Sequence, residues 1–142
     1  MRYSKIGLQQ LTEAFEGCRR VAYQDQGGRW TIGYGHTAGV QEGDVCTQEQ
    51  AEQWLLEDSA WAESTVNKYV TVTVTQGEFD AMVDFTFNLG SGSFQHSTLL
   101  KLVDAGDFAG AANEFVKWDK VGGVEVAGLL RRRLAEQQMF VN

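Results

Sequence analysis

Apolar side chains recur at helical spacing along most of this chain and give way to a strand-like texture in one stretch near the amino end. Ile6, Leu8, Leu11, Ala14 and Phe15 follow an approximate 3.6-residue period behind Ser4, a helix-capping residue type, which predicts a first helix ending at Gly17 with Glu16 on its last turn. From Val21 to Gly39, aromatic and β-branched residues are interrupted by Gly27, Gly28, Gly33, Gly35 and Gly39, the pattern of strands joined by a hairpin across Asp25 to Arg29. Thr47 and Gln50 form a capping-box candidate ahead of residues 51–70, a helix of about 20 residues with Ala51, Trp54, Leu55, Trp61 and Val66 along one side. Thr75 and Glu78 repeat the device. The helix they open carries Phe79, Met82, Val83, Phe85, Phe87 and Leu89, which leave little polar face, so it is predicted to be central, with Gly90 as its stop. Three shorter helices are predicted over Ser97 to Ala105, Asp107 to Trp118 and Gly128 to Phe140, with a loop at Gly122 and Gly123 between the last two.

These elements predict an α+β, mostly helical domain. A small β-containing lobe spans about residues 18–46, a long helix leads away from it, and a helical lobe over about 70–142 receives helix one on its surface. Two lobes joined by a helix are expected to leave a cleft.

Composition narrows what such a molecule does. At 142 residues the chain suits a single domain, and its 43% hydrophobic and 22% charged content is that of an ordinary globular protein. No apolar run is long enough to span a membrane, and the first residues lack the continuous apolar segment of an export signal, so residence in the cytoplasm without a membrane anchor is expected. The net charge of −7 argues against nucleic acid as a partner. Only Arg131, Arg132 and Arg133 concentrate positive charge, and consecutive helical positions point in different directions. Cys18 and Cys46 have neither CxxC spacing nor histidine partners at ligand distance, which suits reduced thiols and no metal.

Candidate chemistry lies in the stretch EGCRRVAYQDQGGRWTIGYGHT, residues 16–37. Hydrolysis of a glycoside needs a proton donor at the leaving oxygen and a carboxylate or water at the opposite face of the sugar. Glu16, at the carboxy end of a helix with an apolar side, sits where dipole charge and desolvation favour the protonated form of a general acid. Asp25, in a glycine-rich turn with free backbone donors, suits an ionised carboxylate, and the Thr31 hydroxyl can fix a water against it. Taken singly, each residue also suits a plainer role: a solvated surface charge, a turn former, a hairpin position.

Together their spacing resembles the phage-type lysozymes, or endolysins, related to the enzyme of bacteriophage T4. Downstream, FDAMVDFTFNLG resembles that family's central helix, STLLKLVDAGDFAGAANEFVKW its following helical segment, and GLLRRRLAE its closing arginine-bearing helix, so the likeness runs from about residue 4 to 140. It implies a lysozyme-like two-lobed fold and a muramidase that cleaves the β-1,4 bond between N-acetylmuramic acid and N-acetylglucosamine in peptidoglycan. By position it implies Glu16 as general acid, Asp25 as the carboxylate that activates water, and Thr31 as that water's support. It further implies Phe87, Asn88 and Thr98 as sugar-contacting residues, His36 as a structural histidine beneath the cleft, and Arg132 or its neighbour as the cation that holds Glu16. Inversion at the anomeric carbon, no cofactor or metal, a monomer, and release to the wall through a holin-type pore complete the expectation. Cys18 stands where an aliphatic residue is expected, and the acidic balance predicts weak adsorption to an anionic wall. A chitinase-like hydrolase with the same acid pair and a non-catalytic wall-binding module are the rival readings.

Overall fold

The computed structural model covers residues 1–142. Ser4 caps the first helix as its residue type predicts: its backbone is extended and its Oγ accepts from Gly7 N, opening α1 (Lys5–Gly7). The helix then widens into a π-helical stretch over Leu8–Glu13, which the periodicity did not foretell. A π-turn accommodates one extra residue without ending the helix, and such bulges gather near functional positions. Glu16 N still donates to Thr12 O at 2.9 Å, so Glu16 closes the last turn.

The chain divides into two compact units, Thr12–Ala60 and a discontinuous one made of Met1–Leu11 with Trp61–Asn142. In the first, β1 (Arg19–Gln24) pairs antiparallel with β2 (Trp30–Gly33), Tyr23 opposite Thr31 and Gln24 opposite Trp30, with an irregularity between Arg19 and Tyr23. Val21 bridges to Val45, so residues near 45 extend the sheet's other edge. Thr47 caps α2 (Gln48–Asp58) by accepting from Gln50 N. This helix lies on β2 so closely that a Cβ on Gly33 would stand 3.2 Å from that of Ala51, at a backbone φ of +66° that favours glycine. Thr31, Ile32, Ala51 and Leu55 form the buried centre of the unit.

The expected long helix over 51–70 is broken. α2 ends at Ser59, whose N–H is shared between the Glu57 and Leu55 carbonyls while its hydroxyl bonds Leu56 O, and α3 (Ala60–Tyr69) begins afresh. Serine competes for backbone carbonyls inside helices, which accounts for the local break. Because α3 buries Ala62 and Val66, Trp61 is turned out and is 44% exposed, although its periodicity set it on one side with Ala51 and Val66.

The second unit is built around α4 (Gln76–Leu89). Thr75 and Glu78 form the full reciprocal capping box, and Gly90 ends the helix at φ +100°. Every residue from Phe79 to Thr86 is buried. Phe85 meets Phe94, Phe115 and Trp118 edge-on, with centroids 6.3, 5.7 and 5.4 Å away, the arrangement that ring quadrupoles favour. Around it stand α5 (Ser91–Gln95), which sequence reading missed, and α6 (Thr98–Asp104), capped by Ser97. α7 (Phe108–Ala112) follows, capped by Asp107, and α8 (Ala127–Val141) closes the chain. The helix expected over Asp107 to Trp118 stops at Ala112 and resumes as a 3-10 turn, Phe115–Lys117. The expected loop before α8 is a small hairpin, β3 (Lys120–Val121) with β4 (Val124–Glu125), because Gly122 and Gly123 both take positive φ and turn the chain in two residues.

Candidate active site

Glu16, Asp25, Thr31 and His36 all belong to the unit formed by Thr12–Ala60. Glu16 follows the helix end and is partly exposed. Asp25 begins the β1–β2 turn. Its Oδ1 accepts from Gly27 N and Arg29 N, each at 2.9 Å, while its own N–H donates to Arg29 O at 2.9 Å and its carbonyl accepts from Gly28 N. The turn is therefore built around the carboxylate: one oxygen is engaged by two backbone donors, and the side chain is exposed.

Thr31 stands two residues beyond the turn, buried, and its hydroxyl donates to Arg29 O at 3.0 Å. A hydroxyl has one proton, so with that proton committed its oxygen can act only as an acceptor. Arg29 thereby links the two side chains through its backbone, N–H to Asp25 and carbonyl to Thr31.

His36 is 9% exposed. Ile32 and His36 exchange both backbone hydrogen bonds at 2.9 Å across Gly33 and Gly35, whose positive φ values of 66° and 90° make that tight turn possible. The imidazole lies flat on Trp54, with centroids 4.5 Å apart and planes 4° from parallel, and its Nδ1 stands 2.8 Å from Asp58 Oδ2. These contacts hold the turn that follows β2 against α2. Asp58 was not singled out by sequence, and Trp54 was named only for its place on one side of the helix, since an acid and an aromatic on a helix carry no local signal of a partner so far along the chain.

Phe87, Asn88, Thr98 and Arg132 belong to the other unit. Phe87 and Asn88 lie on the last turn of α4, both partly exposed; Asn88 buries its Oδ1 without a hydrogen-bond partner. Thr98 opens α6 and is exposed. Arg132 is buried on α8 and grips Asp84 through two parallel bonds, Nε to Oδ2 at 2.9 Å and Nη2 to Oδ1 at 2.8 Å. Beside this pair, Arg133 Nη2 donates to Glu136 Oε2 at 2.8 Å, and its Nε lies 2.6 Å from Oε1, off the hydrogen-bonding direction. Both side chains are fully buried. Burial, with a hydrogen bond and charge from Asp84, pushes the Glu136 carboxyl well above its ordinary value against the opposing pull of Arg133. Sequence reasoning missed Asp84, although an acid inside an otherwise apolar helix signals a buried partner.

The arrangement offers a backbone-anchored carboxylate, an acceptor hydroxyl beside it and a second acid in the same unit, which suits acid–base hydrolysis. The family model "Phage lysozyme" matches residues 13–136. An endolysin of Acyrthosiphon pisum secondary endosymbiont phage 1 is 46% identical, over 99% of this chain and 98% of that one. The chain spans about half the length of the endolysins of Bacillus phages B103 and PZA, to which it is 42% and 41% identical. Among solved structures, a P22 lysozyme mutant superposes with a TM-score of 0.91 at 35% identity, over 100% of this chain and 99% of that one. The muramidase domain of SpmX from Asticaccaulis excentricus gives 0.89 at 36%, over 99% and 98%.

Proposed function

The chain belongs to the phage lysozyme family, and we propose that Glu16, Asp25 and Thr31 carry out its reaction as general acid, water-activating carboxylate and water support. It is a lysozyme-type glycoside hydrolase, an endolysin with muramidase activity on bacterial peptidoglycan, cleaving the β-1,4 bond between N-acetylmuramic acid and N-acetylglucosamine. The whole of residues 1–142 serves as one catalytic domain.

The observation that carries the assignment of roles is the shared anchoring of Asp25 and Thr31 on Arg29. Asp25 Oδ1 is occupied by two N–H groups, which leaves Oδ2 for a water proton. Thr31 Oγ1, having given its proton to the Arg29 carbonyl, accepts the other. A water that donates to both turns its lone pair toward the anomeric carbon. As the glycosidic bond breaks, Glu16 delivers a proton to the leaving oxygen and Asp25 takes one from the attacking water, so charge balances across the step. Attack from the face opposite the leaving group gives the inverted, α-configured product. Within the same proposal Phe87, Asn88 and Thr98 contact the glycan, and His36 supports the turn behind Thr31.

No helix is long and apolar enough to cross a membrane. The proposal extends to a monomer, held in the host cytoplasm until a holin-type pore opens the way to the wall. The deciding experiment is reducing-end release from purified sacculi, with turbidity loss of permeabilised Gram-negative cells, by Glu16→Gln. The amide keeps the shape but cannot donate the acid proton, so the rate is expected to fall by ~10² to 10⁴ with an unchanged melting profile. Near-native release by that variant would remove Glu16 from the acid's role.

A further inference from the structure

We propose that Trp61, stacked on Phe87, is a docking face for a sugar ring of the glycan strand, a contact additional to the residues assigned above. The inference rests on the muramidase reading and deepens it. Trp61 opens α3 and is 44% exposed, while Ala62 and Val66 of the same helix are fully buried and supply its inward face. The largest side chain on this turn is therefore left with close to half of its surface open to solvent. Its ring lies 6.1 Å from that of Phe87, the planes 27° apart, and Phe87 is one of the few α4 side chains to reach the surface. The two rings form an apolar face on an otherwise polar turn that carries Glu63 and Ser64.

That face is held in place. The Thr65 hydroxyl donates to Trp61 O at 2.9 Å, so its 2.8 Å contact with Ser91 must be a bond donated by the serine. The first turn of α3 is thus tied to the start of α5 through side chains, and the indole is presented on a fixed backbone. An exposed aromatic face of this kind matches an N-acetylated pyranose, which offers a flat C–H face for stacking. At −7 net charge the protein gains little electrostatic attraction to an anionic wall, so uncharged stacking is a contact it can use there.

The test is steady-state hydrolysis of sacculi, with co-sedimentation of the Glu16→Gln background, for Trp61→Ala, Trp61→Phe and Trp61→Leu. Trp61→Ala is expected to raise KM and lower sacculus binding by about tenfold, the factor equivalent to 1.4 kcal/mol, with kcat within about twofold. Trp61→Phe should recover most of the affinity and Trp61→Leu little, and the loss should persist at high salt. Equal rescue by Leu and Phe, or an unchanged KM in Trp61→Ala, would overturn the proposal. Thermal melts of all three variants separate binding from folding, since a lost contact moves KM without moving the melt. If native protein released no reducing ends, the muramidase reading would fail instead, a result distinct from a native enzyme whose KM ignores Trp61.

Discussion

Arg132 and Asp84 face each other through two parallel hydrogen bonds of 2.9 and 2.8 Å, with the arginine side chain 5% exposed and the aspartate wholly buried. A pair desolvated to this degree adds little against an apolar substitute, but removing one member takes from the other its bidentate partner in a buried setting. Asp84→Asn is expected to destabilise the protein by about 3 to 5 kcal/mol, measured by urea unfolding. A loss below about 1 kcal/mol would mean that water reaches Arg132.

Asp25→Asn keeps the acceptor oxygen for Gly27 and Arg29 but cannot take a proton from water. Hydrolysis is expected to fall by ~10² or more, with the hairpin intact by amide chemical shifts, while Asp25→Cys retains a fraction as an alternative anion. Normal lysis by Asp25→Asn would end the water-activation role.

The same geometry predicts stereochemistry. Space for a water sets an acid-to-carboxylate separation of ~6.5 to 9.5 Å, against ~5 to 5.5 Å for direct attack, and gives the α-anomer first when fresh product is followed by NMR. The β-anomer appearing first would make Asp25 a nucleophile.

Glu136 keeps its proton in the folded state at pH values where the unfolded chain has released it. Because the native state then binds more protons, this group's contribution is complete below the ordinary carboxyl range and shrinks as pH rises above it. Glu136→Gln, a mimic of the protonated form, should flatten that decline, so the variant's melting temperature gains on the native protein's as pH rises above the ordinary carboxyl range. A variant that instead loses ground as pH rises would show that Glu136 works as a carboxylate.

Gly77 packs the start of α4 against the end of α8: an added Cβ would stand 2.6 Å from the Met139 carbonyl oxygen. Alanine has the better helix propensity by ~1 kcal/mol, but the clash outweighs it, and Gly77→Ala is expected to cost about 1 to 3 kcal/mol in thermal unfolding. Stabilisation would show that the two helices can slide apart without penalty.

Features of the fold that depend on neighbours along the chain are legible in the sequence. Ser4, Thr47, Thr75 with Glu78, Ser97 and Asp107 all cap as their residue types predict, because a side chain reaches an N–H three residues on whatever surrounds it. The Asp25 to Arg29 turn is readable for the same reason. The break at Ser59, the π-helical stretch and the outward face of Trp61 are not, since each is decided by what the helix packs against. Triplet Arg131–Arg133 shows the limit most clearly: Arg131 is exposed while Arg132 and Arg133 are buried, the first on Asp84 and the second on Glu136, partners that spacing along the chain does not announce. At the candidate site, Glu16, Asp25 and Thr31 are picked out by their spacing, whereas the Arg29 backbone link between Asp25 and Thr31 appears only in the folded turn.

The unit that holds α4 is assembled from two separate stretches, Met1–Leu11 and Trp61–Asn142, while the unit holding Glu16, Asp25 and Thr31 is one unbroken segment. Synthesis is vectorial, so that segment can be complete on the ribosome while α4 still lacks α8, the partner against which Asp84 and Gly77 are packed. Until Ala127–Val141 has emerged, Asp84 lacks the Arg132 counter-charge and the apolar α4 has no cover on that side. A prematurely terminated chain would thus carry Glu16, Asp25 and Thr31 with part of its core unsealed, a form open to proteolysis. Translation through the 15 residues of α8 is thus the step that completes the cover of α4.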